Sequence, residues 1–345
     1  MSSILNAQAP GGSILSFGEL LLRICPDANG DWLKVNQLPF HVGGAELNVA
    51  SALALWGLPS KYFTALPQNN LSAQITRYLD DKKIDASTIH YAGERIGLYF
   101  LTPGLDLKHG ALIYDRANSA FASLKTGVID WDDVLDGVSW FHFSAICPAI
   151  NQNVADVCAE VLEAAVKKNI TISVDLNYRS KLWKYGKSPL EVMPGLVEHC
   201  DLIMGNVWAA EIMLGIPVVP NVHEAGLKSV YLEEAKKTSE NIQGKFPKCK
   251  IIANTFRFDN VKDIKYYTTL YYNNQFYSSN EYETSNVIDK VGSGDCFMAG
   301  LIYGFYKNLE PLETLEFATA AAFEKLFIIG DATLQNVEQI KNSMK

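Results

Sequence analysis

At 345 residues, the chain is long enough for one large α/β unit or two ordinary ones, with a substantial buried core. Its 48% hydrophobic and 20% charged residues are the composition of an ordinary globular protein, and a net charge of −8 argues against a general nucleic-acid binder. No apolar run has the length of a membrane span, and the first basic residue is Arg23, so the positively charged start of a secretory signal is lacking.

Near the N-terminus, "HVGGAELNVASALALWG" (His41 to Gly57) reads as an extended stretch ending at Gly43 and Gly44, then a helix from Ala45 to Trp56. Asn48 falls one turn into that helix on the side of the glycines, where an amide and backbone donors could meet a polyhydroxylated ligand. Plain helix-start chemistry is the alternative. "GLYFLTPG…ALIYDR" (Gly97 to Arg116) alternates with period two and reads as a hairpin with a long turn. No helix pattern lies near enough to cover it. It is therefore expected to project from the main sheet as a small lid, together with the stretch after Cys25.

From residue 136 onward short apolar runs alternate with helical patterns. "WFHFS" (Trp140 to Ser144) precedes a helix from about Gln152 to Lys168; "ITISVDL" (Ile170 to Leu176) precedes a helix reaching about His199. "DLIMG" comes next, with a helix at Ala209 to Leu214, and then "KIIAN" (Lys250 to Asn254). Continuously apolar strands alternating with helices imply a mostly parallel sheet covered on both faces. "KYYTTLYYNNQFYSS" (Lys265 to Ser279) is a second hairpin, with Asn-Asn at its tip.

Two clusters and one turn carry the chemistry. Asp175, Asn177 and Arg179 follow a buried strand directly, at the sheet edge where α/β proteins bind ligands, although a structural Asp–Arg pair would leave the same pattern. In "DKVGSGDCFMAG", Val287 and Ile288 suggest a strand end, Gly292, Ser293 and Gly294 the turn, and Asp295 the first residue of a helix. Such a turn is either a glycine-rich helix cap or an anion site with a carboxylate beside it, ready to take a proton. "GKS" at Gly186 to Ser188 is not a P-loop, because the glycine required five residues earlier is Lys181. His142, inside "WFHFS", reads as a structural histidine. The cysteines at 25, 147, 158, 200, 249 and 296 form no C-x-x-C pair, which predicts buried reduced thiols in a cytoplasmic protein.

Together, "GGAELNVASAL" and "DKVGSGDCFMAG", in that order, resemble the two signatures of the ribokinase-like (PfkB-type) carbohydrate kinases. Within that family, "GLYFLTPG", "IYDRANSA", "WFHFSAICPA", "DLNYRSKLW" and "IIGDATL" look most similar to 2-keto-3-deoxygluconate kinases. The resemblance implies a ribokinase-like three-layer Rossmann-like fold over residues 1–345, with a mostly parallel sheet and a β-lid from segments near 25–43 and 91–116. It implies ATP- and Mg²⁺-dependent phosphorylation of 2-keto-3-deoxygluconate, and it leaves a monovalent cation open. Asp295 would be the general base, and Gly292, Ser293 and Gly294 the anion hole. Gly43, Gly44, Asn48, Tyr99, Tyr114 and Asp331 would hold the sugar, with Arg116 and Arg179 as a pair for its carboxylate. Asn206, Thr255, Arg257 and Gly294 would meet the nucleotide; no metal ligand is assigned. The implied partners are a sugar acid and ATP, with no nucleic acid and no membrane, and a homodimer or higher homo-oligomer through the lid is compatible with this pattern.

The chain departs from the family in three places. The middle motif keeps Asn206 but has Ala209 where a glutamate is usual, with Glu211 two residues on. "ANTFRFDN" replaces the usual nucleotide turn, and Ser293 replaces an alanine. These departures keep two alternatives in view: a kinase for fructose or another neutral sugar, and a catalytically silent sugar-binding relative.

Overall fold

The computed structural model describes residues 11–26, 30–34, 36–102, 112–220, 222, 227–259 and 263–345. Its centre is a ten-stranded sheet. From Ile251–Asp259 inward, the strands Leu202–Gly205, Thr171–Asp175, Val138–Ser144, Ser13–Phe17, Ser60–Phe63 and Ile84–Asp85 are parallel neighbours in that order. At the other edge Ile264–Tyr272 runs antiparallel and carries Gln275–Ser278 and Tyr282–Thr284.

Period-two alternation sorts the side chains of these strands into two cores. Leu15, Phe17, Phe141, Phe143, Ile172 and Ile203 face one layer, which includes the helix Gln152–Lys167. Ile14, Trp140, Leu202, Met204 and Ile251 face the other, built on the helices Ala45–Leu55, Ser293–Tyr306 and Pro311–Glu324. Fully burying each of these large side chains contributes about 1.5–3 kcal/mol. That is the three-layer α/β fold expected from the apolar runs. His142 lies within it as a structural residue, its Nδ1 3.0 Å from Ser173 Oγ and its pKa lowered by burial to about 3. All six cysteines are free and buried.

A second sheet of four strands lies in the order Phe40–Gly43, Leu21–Ile24, Gly97–Phe100, Ile113–Asp115. Its hairpin pairs Tyr99 with Tyr114, and the turn at 103–111 falls outside the described residues. The sheet begins at Leu21, ahead of Cys25, where the sequence reading started it. Only Gly18 to Leu20 separates this strand from Ser13–Phe17, so the two apolar runs read as one.

Other boundaries also differ. "KIIAN" continues as strand to Asp259, because "TFRF" pairs residue for residue, antiparallel, with "KYYT" of Ile264–Tyr272. Val287 and Ile288 form no strand; the amides of Ile288 and Asp289 instead donate to Leu326 O at 2.8 and 3.1 Å. The second hairpin turns at Asn273 and Asn274, both at positive φ (51° and 59°), which asparagine tolerates better than most residues. Among the described residues no helix is long and apolar enough to cross a membrane.

Candidate active site

A cavity of about 480 Å³ opens at the carboxyl ends of the parallel strands, beneath the small sheet. Chain direction explains the location: side chains just past Phe17, Asp175 and Gly205 emerge where the helix N-termini also point. Gly44, Asn48, Tyr99, Tyr114, Arg116, Arg179, Asn206, Thr255, Arg257, Gly292, Ser293, Gly294, Asp295 and Asp331 all line it. Gly43 does not. A Cβ there would sit 2.1 Å from Asp331 Oδ2, so Gly43 makes room for that carboxylate instead of facing the cavity.

The glycine turn opens the helix Ser293–Tyr306, with Gly292 at its N-cap in the left-handed region (φ 81°). A Cβ on Gly292 would lie 1.8 Å from Asp331 O, so close approach and backbone angle both require glycine. Ser293 turns its hydroxyl inward to Ala322 O at 2.9 Å, which leaves only its amide toward the cavity. Asp295 sits in the first turn, buried, and Asn48 Nδ2 donates to its Oδ2 at 2.7 Å. Asn48 Oδ1 is buried without a partner among the described residues.

Burial pushes the Asp295 carboxyl up to about 7, opposed by the Asn48 hydrogen bond and the Arg179 charge and reinforced by Asp175 and Asp331. Two further cavity acids behave alike. Burial raises Glu46 to about 7, helped by the Asp295 charge and opposed by the hydrogen bond from Ser144 N. Burial raises Asp175 to about 6, opposed by Asn177 N and Arg179.

The two arginines occupy different situations. Arg116 is buried, and its Nε donates to Glu19 Oε2 at 2.7 Å, with Nη2 on the same oxygen; Ser119 donates to Oε1. The expected carboxylate pair is therefore half committed, with Nε and Nη2 of Arg116 engaged by Glu19. Arg179 is half-buried, and its side chain donates to Tyr178 O at 3.2 Å; it makes no ion pair with Asp175. The structural Asp–Arg alternative is not what this loop does.

Asp331 accepts from Tyr99 OH at 2.7 Å and contacts Arg23 Nε at 2.8 Å, a charge contact without hydrogen-bond alignment. Asn206 caps the helix Val207–Leu214, its Oδ1 accepting from Ala209 N at 2.8 Å, so only its amide nitrogen remains for a ligand. Thr255 Oγ1 reaches Gly205 O at 3.4 Å; Arg257 and Lys290 bracket Asp259 at 3.3 and 3.2 Å. Ala209 lines the cavity where a glutamate was expected, and among the described residues no group of three or more His, Cys, Asp or Glu could hold a metal ion.

Sequence reasoning missed Glu19, Arg23, Glu46, Trp208 and Lys290. Glu19 and Arg23 bracket three leucines in "GELLLR", and a charge on each side of so apolar a run was the available signal. Glu46 reads as an ordinary first-turn acid of the helix Ala45–Leu55; only the fold shows it buried.

A family model described as "pfkB family carbohydrate kinase" matches residues 12–240 and 267–331. A 2-dehydro-3-deoxygalactonokinase of Haloferax volcanii is 24% identical over 336 residues, 96% of each chain. The crystal structure of a 2-dehydro-3-deoxygluconokinase from Thermotoga maritima is 31% identical with a TM-score of 0.87, covering 97% of this chain and 98% of its own. That of a PfkB family carbohydrate kinase from Listeria grayi is 27% identical with a TM-score of 0.83, over 96% and 98%. A match over most of the chain, on a sheet whose glycine turn and buried acid meet in one cavity, makes this protein a member of the pfkB family of carbohydrate kinases.

Proposed function

We propose that this kinase transfers the γ-phosphoryl group of ATP to the C6 hydroxyl of 2-keto-3-deoxygluconate. The observation that carries the reading is Asp295: buried at the N-terminus of its helix, beside the glycine turn, with Oδ2 held by Asn48. Oδ1 then takes the hydroxyl proton as the sugar oxygen bonds to phosphorus and the bond to the β-phosphate oxygen breaks, releasing ADP. The amides of Gly292, Ser293 and Gly294, at the positive end of the helix, stabilise charge on the transferred group. Phosphoryl transfer needs little else from a protein than positioning and electrostatics.

Gly44, Asn48, Tyr99, Tyr114 and Asp331 line the sugar end, with Asn48 Oδ1 free to accept from a hydroxyl. Arg179, with Arg116, faces the sugar carboxylate. Gly294, Asn206, Thr255 and Arg257 line the nucleotide end. Magnesium, when bound with ATP, neutralises the phosphates; with Ala209 in place of a glutamate, it is the nucleotide's own ion here. The small sheet acts as the lid that excludes water from the phosphoryl group. Both relatives named for a dehydro-deoxy sugar acid support the substrate class, and they differ in the parent sugar.

The test is ADP release from Mg·ATP with 2-keto-3-deoxygluconate, 2-keto-3-deoxygalactonate, gluconate, fructose and ribose. The expected outcome is highest kcat/KM for 2-keto-3-deoxygluconate. A preference for fructose would replace the sugar-acid reading, and no stimulation by any of them would leave a silent relative.

A further inference from the structure

Behind the glycine turn lies a buried charge cluster of which the reaction above uses only Asp331. Lys325 is fully buried, and its Nζ donates to Ile328 O at 2.9 Å. A Cβ on Gly292 would meet Lys325 Cε at 3.4 Å, so the lysine chain packs against the turn itself. Arg23, 1% exposed, donates from Nη2 to Asp289 Oδ2 at 2.7 Å and contacts Asp331 through Nε. Two buried cations thus face two buried carboxylates; burial lowers the Lys325 pKa from its ordinary value, and the charges of Asp289 and Asp331 oppose that shift and favour the ammonium.

The family resemblance leaves a monovalent cation open, and this cluster is the charged group packed directly behind the anion hole. Such an ion needs several carbonyl or carboxylate oxygens free to turn toward it. Here they are taken. Asp289 Oδ1 accepts from Val291 N at 3.1 Å, and Oδ2 accepts from Arg23 and from Gly330 N at 3.2 Å. Asp331 Oδ2 accepts from Tyr99, its Oδ1 is held against the Arg23 guanidinium by charge alone, so a second cation there would meet the first, and Ile328 O faces Lys325. The residues present do not fit an added ion.

We propose that Lys325 is a positioning residue whose ammonium serves as a built-in monovalent cation behind the anion hole, so that the kinase requires no added potassium or sodium. Its tether to Ile328 O and its contact with Gly292 fix the turn, and its charge adds to the field there. This rests on the kinase reading for its kinetic arm only.

Rates and thermal unfolding midpoints are to be measured in tetramethylammonium, sodium, potassium and ammonium chloride at equal ionic strength, for the parent, Lys325→Ala and Lys325→Met. The parent is expected to hold kcat within about twofold across the salts, with an unchanged midpoint. Lys325→Ala should lose kcat by about tenfold to a hundredfold, a fraction of what removing an anion-hole donor costs, with sugar KM nearly unchanged. Potassium or ammonium should restore part of that loss and raise the midpoint, because the truncation opens room for an ion. Lys325→Met keeps the space filled and should not be rescued. A parent stimulated about tenfold by potassium, or a Lys325→Ala variant indifferent to all cations, would overturn the proposal. If both variants fail to fold, the parent's salt series decides alone. If no sugar stimulates ADP release, the kinase reading fails while the unfolding midpoints still test the cation.

Discussion

Asp295 holds its proton more tightly than an exposed aspartate, because burial strips water from the charged form. Its folded pKa of about 7 lies above the unsited value of 3.8, so the folded state binds more protons between those limits. The stability tied to this proton is complete below the lower value and is lost as pH rises through the upper one. Asp295→Asn, which carries no ionising group, should therefore gain in melting temperature over the parent progressively from pH 5 to pH 8. The same substitution should lower kcat by about 10²–10⁴-fold, the usual contribution of a general base. The parent's kcat/KM should rise with pH through a limb near 7. A variant that shows no such gain, or keeps most of its rate, would remove Asp295 from the proposed role. Asp295 was legible as a candidate because it stands in a signature-like glycine turn that follows "GGAELNVASAL" in order, since an acid in the first turn of a helix is by itself ordinary dipole chemistry. Glu46 was not: burial, not sequence position, sets it apart, and burial comes from packing against Ser144 on another strand.

The strand Leu21–Ile24 shows what one short element can join. Leu21 turns toward Tyr99 and Val291, while Leu22 and Ile24 face the core around the helix Asn70–Asp81. Period two thereby sends Arg23 to the Leu21 side, into the loop before the glycine turn. Arg23→Met would leave Asp289 and Asp331 buried without their cation. It is expected to cost about 3–5 kcal/mol in urea unfolding, as breaking a buried pair generally does. A cost under about 1 kcal/mol would mean that the carboxylates find other partners. The hairpin at Asn273 and Asn274 was legible from residue chemistry alone. This strand was not, since its partners Phe40–Gly43 and Gly97–Phe100 are distant in sequence and its length gives little alternation to read.

At the scale of the whole molecule, the proposed sugar-acid substrate and the protein's charge are opposed. The chain carries −8, so an anionic sugar and an anionic nucleotide both approach against the overall sign. Attraction must be local, and Arg179 is the cavity arginine that no carboxylate among the described residues has claimed. Arg179→Met should raise KM for the sugar acid about tenfold to a hundredfold, matching a charged hydrogen bond of about 1.5–3 kcal/mol, and leave any turnover of fructose unchanged. KM within twofold of the parent would exclude it from carboxylate binding. The parallel sheet, and hence the edge where the cavity lies, was legible in the alternation of strands and helices. The commitment of Arg116 to Glu19 was not, because 97 positions separate the two in sequence.

Gly43 and Gly292 come from opposite ends of the chain, yet both lack a side chain in favour of the same residue, Asp331: one clears its carboxylate and the other its carbonyl. The three positions are therefore not free to drift one at a time. A descendant that acquires a side chain at 43 must first have moved or lost the Asp331 carboxylate, whereas Gly292 stays fixed by the backbone carbonyl of whatever residue stands at 331 and by its own positive φ. Among homologues positions 43 and 331 should change as a pair, with Asp331 leading, while 292 stays glycine, and a lineage that keeps Asp331 but fills position 43 should be the combination evolution leaves empty.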